Sequence, residues 1–115
     1  MVVYADGSAA TREAHGCCPP PPLVKADRDR ALVVSATAKA LADPVRVEVL
    51  QLLREAEGEV CQCDLQPLFG ISQPTLSHHL KKLRAAGLIE VERRGKWAYY
   101  AINEDALEVL RAWVS

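Results

Sequence analysis

The apolar positions of this chain alternate between helical and strand-like spacing, with turn residues between the blocks. In Lys25–Leu41, residues Leu32, Val33, Ala36, Ala40 and Leu41 recur at helical intervals, which predicts a first helix starting in the charged run Asp27-Arg28-Asp29-Arg30. Asp43-Pro44 marks a second start, because Asp caps free amides and proline fits the first helical turn. That helix runs over Pro44–Glu57, with Val45, Val49, Leu52 and Leu53 on one face, and Gly58 ends it. A third helix covers about Cys63–Phe69, kept short by Pro67 and stopped by Gly70. Ser72 caps a fourth, Gln73–Ala86, and Gly87 closes it. Two helices joined by so brief a glycine-containing turn predict a helix-turn-helix. The spacing then changes to alternation. Leu88–Arg93 and Lys96–Ile102 read as two strands around Arg94-Gly95, a hairpin with a basic tip. Asn103 caps a last helix reaching about Val114, with Leu107, Leu110 and Val114 on one face and Trp113 nearby.

Composition narrows this picture. A length of 115 residues supports one small domain. Half the residues are apolar and only 5% are aromatic, so a Leu/Val/Ala core in helices fits better than a β-sandwich. Residues 23–115 read as that domain. Residues 1–22 read as a flexible arm, because Cys17-Cys18 is followed by Pro19–Pro22, and four prolines favour extended polyproline II. No apolar run approaches a membrane span and no signal-peptide pattern opens the chain, so no membrane partner and a cytoplasmic location are expected. In that compartment four cysteines indicate metal or redox chemistry rather than structural disulfides.

The net charge of −1 changes meaning once it is mapped. Residues 72–96 carry Lys81, Lys82, Arg84, Arg93, Arg94 and Lys96 against only Glu90 and Glu92. A nearly neutral protein with one basic stripe can hold phosphates, since local potential governs contact. Wound at the helical period, the fourth helix turns Leu76, Leu80 and Leu83 to the core. Pro74, Thr75, His78, Lys81 and Lys82 face outward, with Gln73 and Ser77 on the flank. Short polar groups suit base edges in a major groove, and Lys81 and Lys82 suit phosphates. Arg93, Arg94 and Lys96 suit a wing on the DNA backbone. His79 lies nearer the core and reads as structural. The expected fold is therefore mainly α with a small β-hairpin, a winged helix-turn-helix ordered as four helices, two strands and one helix. The histidines have no paired acid or nucleophile at a catalytic spacing, so no enzyme is expected.

Cys61 and Cys63 flank Gln62 where the third helix starts. Amide dipoles there favour the thiolate, the form that binds metal. On a regular helix the two would point apart; in an extended or unwound first turn they share one side. Cys17-Cys18 on the arm form a second pair, and His15 is a further candidate donor. Three sulfurs suit trigonal As(III) or Sb(III); four suit tetrahedral Cd(II), Pb(II) or Zn(II). A thiol-redox pair is the competing reading.

Taken together, Lys39-Ala-Leu-Ala-Asp-Pro-Val-Arg46, Glu59-Val-Cys-Gln-Cys-Asp-Leu65, Ile71-Ser-Gln-Pro-Thr-Leu-Ser-His-His-Leu-Lys-Lys-Leu83, Gly87-Leu-Ile and Arg94-Gly-Lys-Trp-Ala-Tyr-Tyr100 closely resemble the ArsR/SmtB family of metal-responsive winged-helix repressors. The resemblance implies a homodimer joined by its first and last helices, bound to palindromic operator DNA and released by metal. It places Cys61 and Cys63 on the Cys-x-Cys-Asp box of arsenite and cadmium/lead members, and Ser72, Gln73, Thr75, Ser77 and His78 on the recognition helix. Arsenite members often carry a third Cys where this chain has Gln66. Members of the CadC type use arm cysteines of the other protomer, a role open to Cys17 and Cys18. The last helix has Glu104, Asp105 and Glu108 but no His, unlike zinc members. The adjacent arm pair favours As(III), with Sb(III) as a related inducer, over Cd(II) or Pb(II).

Overall fold

The computed structural model describes residues 26–115. The expected arm, with His15, Cys17 and Cys18, lies outside them. Helix α1 spans Arg28–Ala40, three residues later than its apolar pattern suggested, because Asp27 caps it by accepting the Arg30 amide at 3.0 Å. Helix α2 spans Pro44–Ala56, and the Asp43 carboxylate accepts the Val45 and Arg46 amides as the Asp-Pro pair predicts. Its left-handed terminal residue is Glu57 (φ 54°) rather than Gly58, so the helix reverses one residue before the glycine.

A two-residue strand β1, Val60–Cys61, follows, and here the sequence expectation is corrected. Two residues are too few to show alternation, so nothing in the pattern marked them. Helix α3 is Gln62–Phe69 and holds Pro67 inside its last turn. Helix α4 is Gln73–Ala85, β2 is Ile89–Arg94, β3 is Trp97–Ile102, and α5 is Glu104–Val114. The sheet is three-stranded and antiparallel in the order β1-β3-β2, not a bare hairpin. The hairpin tip also shifts by one residue. Arg94 pairs with Trp97, leaving Gly95-Lys96 as the turn, with Gly95 at φ 63° as a type II′ turn requires at its first central position.

One leucine-rich core holds these pieces together. Val49 and Leu53 of α2, Leu65 of α3, Leu76, Leu80 and Leu83 of α4, and Leu88 are fully buried. Asn103 fastens the end of the sheet to the start of the wing: its amide group donates to the Gly87 carbonyl at 2.9 Å while its oxygen caps α5. The terminal helices are different. No residue of α5 is buried, and α1 buries only Thr37 and Ala40. Leu32 (58% exposed), Val33 and Trp113 (55%) stand in solvent, although Leu32 and Val33 lie in the apolar pattern of the first helix. Among the described residues, nothing covers the apolar surface of these two helices.

Candidate functional site

Two surfaces carry chemistry, and α3 joins them. The first is the outer face of α4. Ser72 Oγ accepts the Thr75 amide at 3.3 Å and lies 2.9 Å from Thr75 Oγ1, so both hydroxyls help start the helix while remaining exposed. Gln73, Ser77, His78, Lys81 and Lys82 are exposed as well, on the side opposite the buried leucines. His79 is half-buried, and its Nδ1 has no hydrogen-bond partner among the described residues. The helical period thus placed this face correctly, because three leucines locked in the core fix the rotation of the whole helix.

The hairpin divides its basic residues in a way that spacing did not reveal. Arg93 and Lys96 are exposed, and the Lys96 ammonium lies 5.2 Å from the Trp97 ring. The Arg94 guanidinium instead bridges Glu92 at 2.8 Å and Glu59 across the sheet, and stacks 4.6 Å over the Tyr99 ring. Hydrogen bonding to Glu92 and then Glu59 raises the Arg94 pKa further above its ordinary value; Arg94 in turn holds the Glu92 carboxyl below the ordinary carboxylate range. Arg94 is therefore occupied in bracing the wing against the segment that leads into β1. Glu59 lies 35 residues from Arg94, so no local motif announces the pair.

The second surface is the thiol pair. Cys61 ends β1 and caps α3 with an extended backbone (φ −68°, ψ 139°), and its sulfur accepts the Cys63 amide at 3.3 Å. Cys63 sits in the first helical turn. The strand-to-helix change between them puts both sulfurs on one side, paired as a disulfide with the α-carbons 5.2 Å apart. Cys61 is buried and Cys63 exposed, so the pair opens outward on one side only. Two converging soft sulfurs fit a thiophilic ion. Among the described residues, no three His, Cys, Asp or Glu side chains gather where a metal could sit, so further donors are not found there.

The pair borders a cleft of about 370 Å³ lined also by Gln66, Gln73, Arg93, Lys96 and Trp97. The thiols thus share one cavity with the start of α4 and the tip of the wing. Gln66 braces the α3–α4 turn by donating to the Ile71 carbonyl. Gln62, which no motif singled out, donates through Nε2 to Ser77 Oγ at 2.9 Å and accepts from the Tyr100 hydroxyl at 3.4 Å. No helix is long and apolar enough to cross a membrane among the described residues.

Comparison with known proteins follows the same outline. Residues 43–91 match the family model described as bacterial regulatory protein, arsR family. An arsenical resistance operon repressor of Bacillus subtilis is 43% identical over 72 residues, covering 63% of this chain and 68% of the relative. A homolog of the cadmium resistance regulatory protein CadC from Staphylococcus aureus is 35% identical over 77 residues, covering 67% and 63%. Among solved structures, a homodimeric winged helix-turn-helix DNA-binding domain from Mycobacterium bovis, a possible ArsR-family regulator, superposes with a TM-score of 0.61 at 35% identity, covering 78% of this chain and 85% of that one. A helix-turn-helix, a wing and this sequence likeness converge on one assignment: the chain belongs to the arsR family of bacterial regulatory proteins, and it is a winged-helix transcriptional repressor, not an enzyme.

Proposed function

We propose that the chain works in the cytoplasm as a homodimer that holds operator DNA and releases it when As(III), or the related Sb(III), binds cysteine thiolates. The observation that carries the reading is the convergence of Cys61 and Cys63 at the start of α3, the first helix of the DNA-reading unit. Arsenite carries three hydroxyls. With the pair reduced to its dithiol form by a thiol reductant, each thiol that condenses with it forms one As–S bond and releases one water, so Cys61 and Cys63 satisfy two positions. A third sulfur would come from Cys17 or Cys18, in this reading from the arm of the other protomer. The relatives named for arsenical resistance support the ion; the cadmium-resistance relative keeps Cd(II) or Pb(II) as the competing inducer.

On the DNA side, α4 enters the major groove. Gln73, Thr75, Ser77 and His78 face the base edges, with Ser72 at the helix start, and Lys81 and Lys82 face phosphates. Arg93 and Lys96 carry the wing contact, while Arg94 stiffens it. The uncovered apolar faces of α1 and α5 support dimerisation through those helices. Ligand lowers operator affinity only by preferring the low-affinity form, and operator must weaken ligand binding by the same factor.

The paired sulfurs favour one second reading. The two thiols could give two electrons and two protons to a peroxide, which leaves as water and an alcohol while a disulfide forms. One titration separates these. Purified repressor–operator complex is challenged with As(III), Sb(III), Cd(II), Pb(II), Zn(II) or an alkyl peroxide. Release by As(III) that is lost in Cys61→Ser and Cys63→Ser, with operator binding retained, is the expected result. Normal arsenite release from those variants overturns the assignment. Release by peroxide, reversed by a dithiol, selects the redox reading.

A further inference from the structure

Gln62 occupies a position that neither the thiol chemistry nor the DNA face explains. It lies between the two cysteines and lines their cleft, and its side chain reaches the recognition helix. Tyr100, buried on β3, donates its hydroxyl to Gln62 Oε1, which fixes the orientation of the amide. The opposite end of that amide then donates to Ser77 Oγ. A serine hydroxyl has one hydrogen and two lone pairs. With one lone pair engaged by Gln62, the Ser77 hydrogen is left free for another acceptor, and Ser77 lies on the exposed face of α4.

We propose that Gln62 is a positioning residue. It presets Ser77 as a hydrogen-bond donor to the operator, and it releases that setting when the flanking thiols take a ligand. The second half rests on the thiol-sensing reading above. Three consecutive residues leave little freedom: tying Cys61 and Cys63 to one ion fixes the backbone on both sides of Gln62. An ion held by both sulfurs sets the spacing of Cys61 and Cys63, the residues on either side of Gln62. The side chain between them must follow, and a 2.9 Å hydrogen bond to another helix does not survive a displacement of about 1 Å. Cys61 is also paired with Tyr99 in the sheet, next to Tyr100, so the same motion reaches the tyrosine that donates to the amide.

The experiment has two arms. The first uses no ligand: operator affinity is measured for wild type, Gln62→Met, Ser77→Ala and the double variant, with thermal melting as a check on folding. Methionine keeps the length and removes both hydrogen bonds. Each protomer of the dimer carries the change, so each single variant should weaken operator binding about 25-fold, about fivefold per lost neutral hydrogen bond, and the double variant should be no weaker than Ser77→Ala. Independent, multiplying losses overturn the positioning role. Gln62→Glu gives a conservative comparison: its carboxylate still accepts from Tyr100 but draws the Ser77 hydrogen inward, so it should weaken binding at least as much as methionine. Affinity equal to wild type in that variant also overturns the role.

The second arm adds sodium arsenite and follows thiolate–arsenic absorption and operator release together. Gln62→Met should bind arsenite with wild-type stoichiometry, while the ratio of operator affinities without and with arsenite shrinks about 25-fold, about fivefold per protomer. An unchanged ratio overturns the transmitting role. If wild type binds no arsenite, the sensing reading and the transmitting role fall together, whereas the first arm still decides whether Gln62 positions Ser77.

Discussion

Replace Arg93 by alanine in one variant and Arg94 in another. The two side chains are neighbours on one strand and carry the same charge, yet the structure gives them different work. Arg93 is exposed without a carboxylate partner among the described residues, whereas Arg94 is bound to Glu59 and Glu92 and stacked on Tyr99. Each phosphate neutralised by a protein cation contributes about −0.9 to the slope of log affinity against log salt. A dimer presents two wings, so Arg93→Ala should flatten the slope by about 1.8. Between about 50 and about 200 mM salt, wild type should then lose about twelve-fold more affinity than the variant. Arg94→Ala should leave the slope near that of wild type, because that charge is already neutralised, and should instead lower the melting temperature slightly. Fluorescence anisotropy on a labelled operator duplex across that salt range measures both. Equal changes in slope for the two variants would refute the division of roles.

Three further outcomes follow from named contacts. Leu65→Ala empties a fully buried site under α3 and should cost about 2–5 kcal/mol, read by urea unfolding; a loss below about 1 kcal/mol would mean that α3 is not anchored by that side chain. Trp113→Asp puts a charge on the uncovered face of α5 and should weaken the dimer by about 2 kcal/mol or more, seen by sedimentation; an unchanged dimer would place the interface elsewhere. Because Arg94 lowers the Glu92 pKa, the contribution of that pair is complete above the ordinary carboxylate range and is lost as pH falls through the lowered value. An NMR titration should therefore find the Glu92 midpoint below the ordinary range and moving up in Arg94→Ala; a midpoint insensitive to that change would contradict the clamp.

The parts of this fold that could be read from sequence are those governed by local rules. Asp43-Pro44, Ser72 and Asn103 each cap the helix they were expected to cap, because capping is settled within three residues. Leu76, Leu80 and Leu83 fix the rotation of α4, so its exposed face followed from the helical period alone. What escaped is non-local. Strand β1 exists only because β3 pairs with it, and Gln62–Ser77 and Arg94–Glu59 join residues 15 and 35 positions apart. The exposure of the terminal helices escaped for another reason. Their apolar stripes were visible, but periodicity reports only that a face is apolar, not whether its own chain covers it; Leu32, Val33 and Trp113 remain uncovered here.

The two-residue strand β1 also bears on how the thiol pair could be rebuilt elsewhere. It is at once the outer strand of the wing sheet and the lead-in to the thiol pair, with Cys61 in register with Tyr99. The Cys-Gln-Cys segment is therefore not a portable cassette. Grafted onto another helix-turn-helix without a β3 to hold its first cysteine extended, the two sulfurs would part at the angle of a regular helix. A successful transplant would have to move the wing and the thiols as a single module.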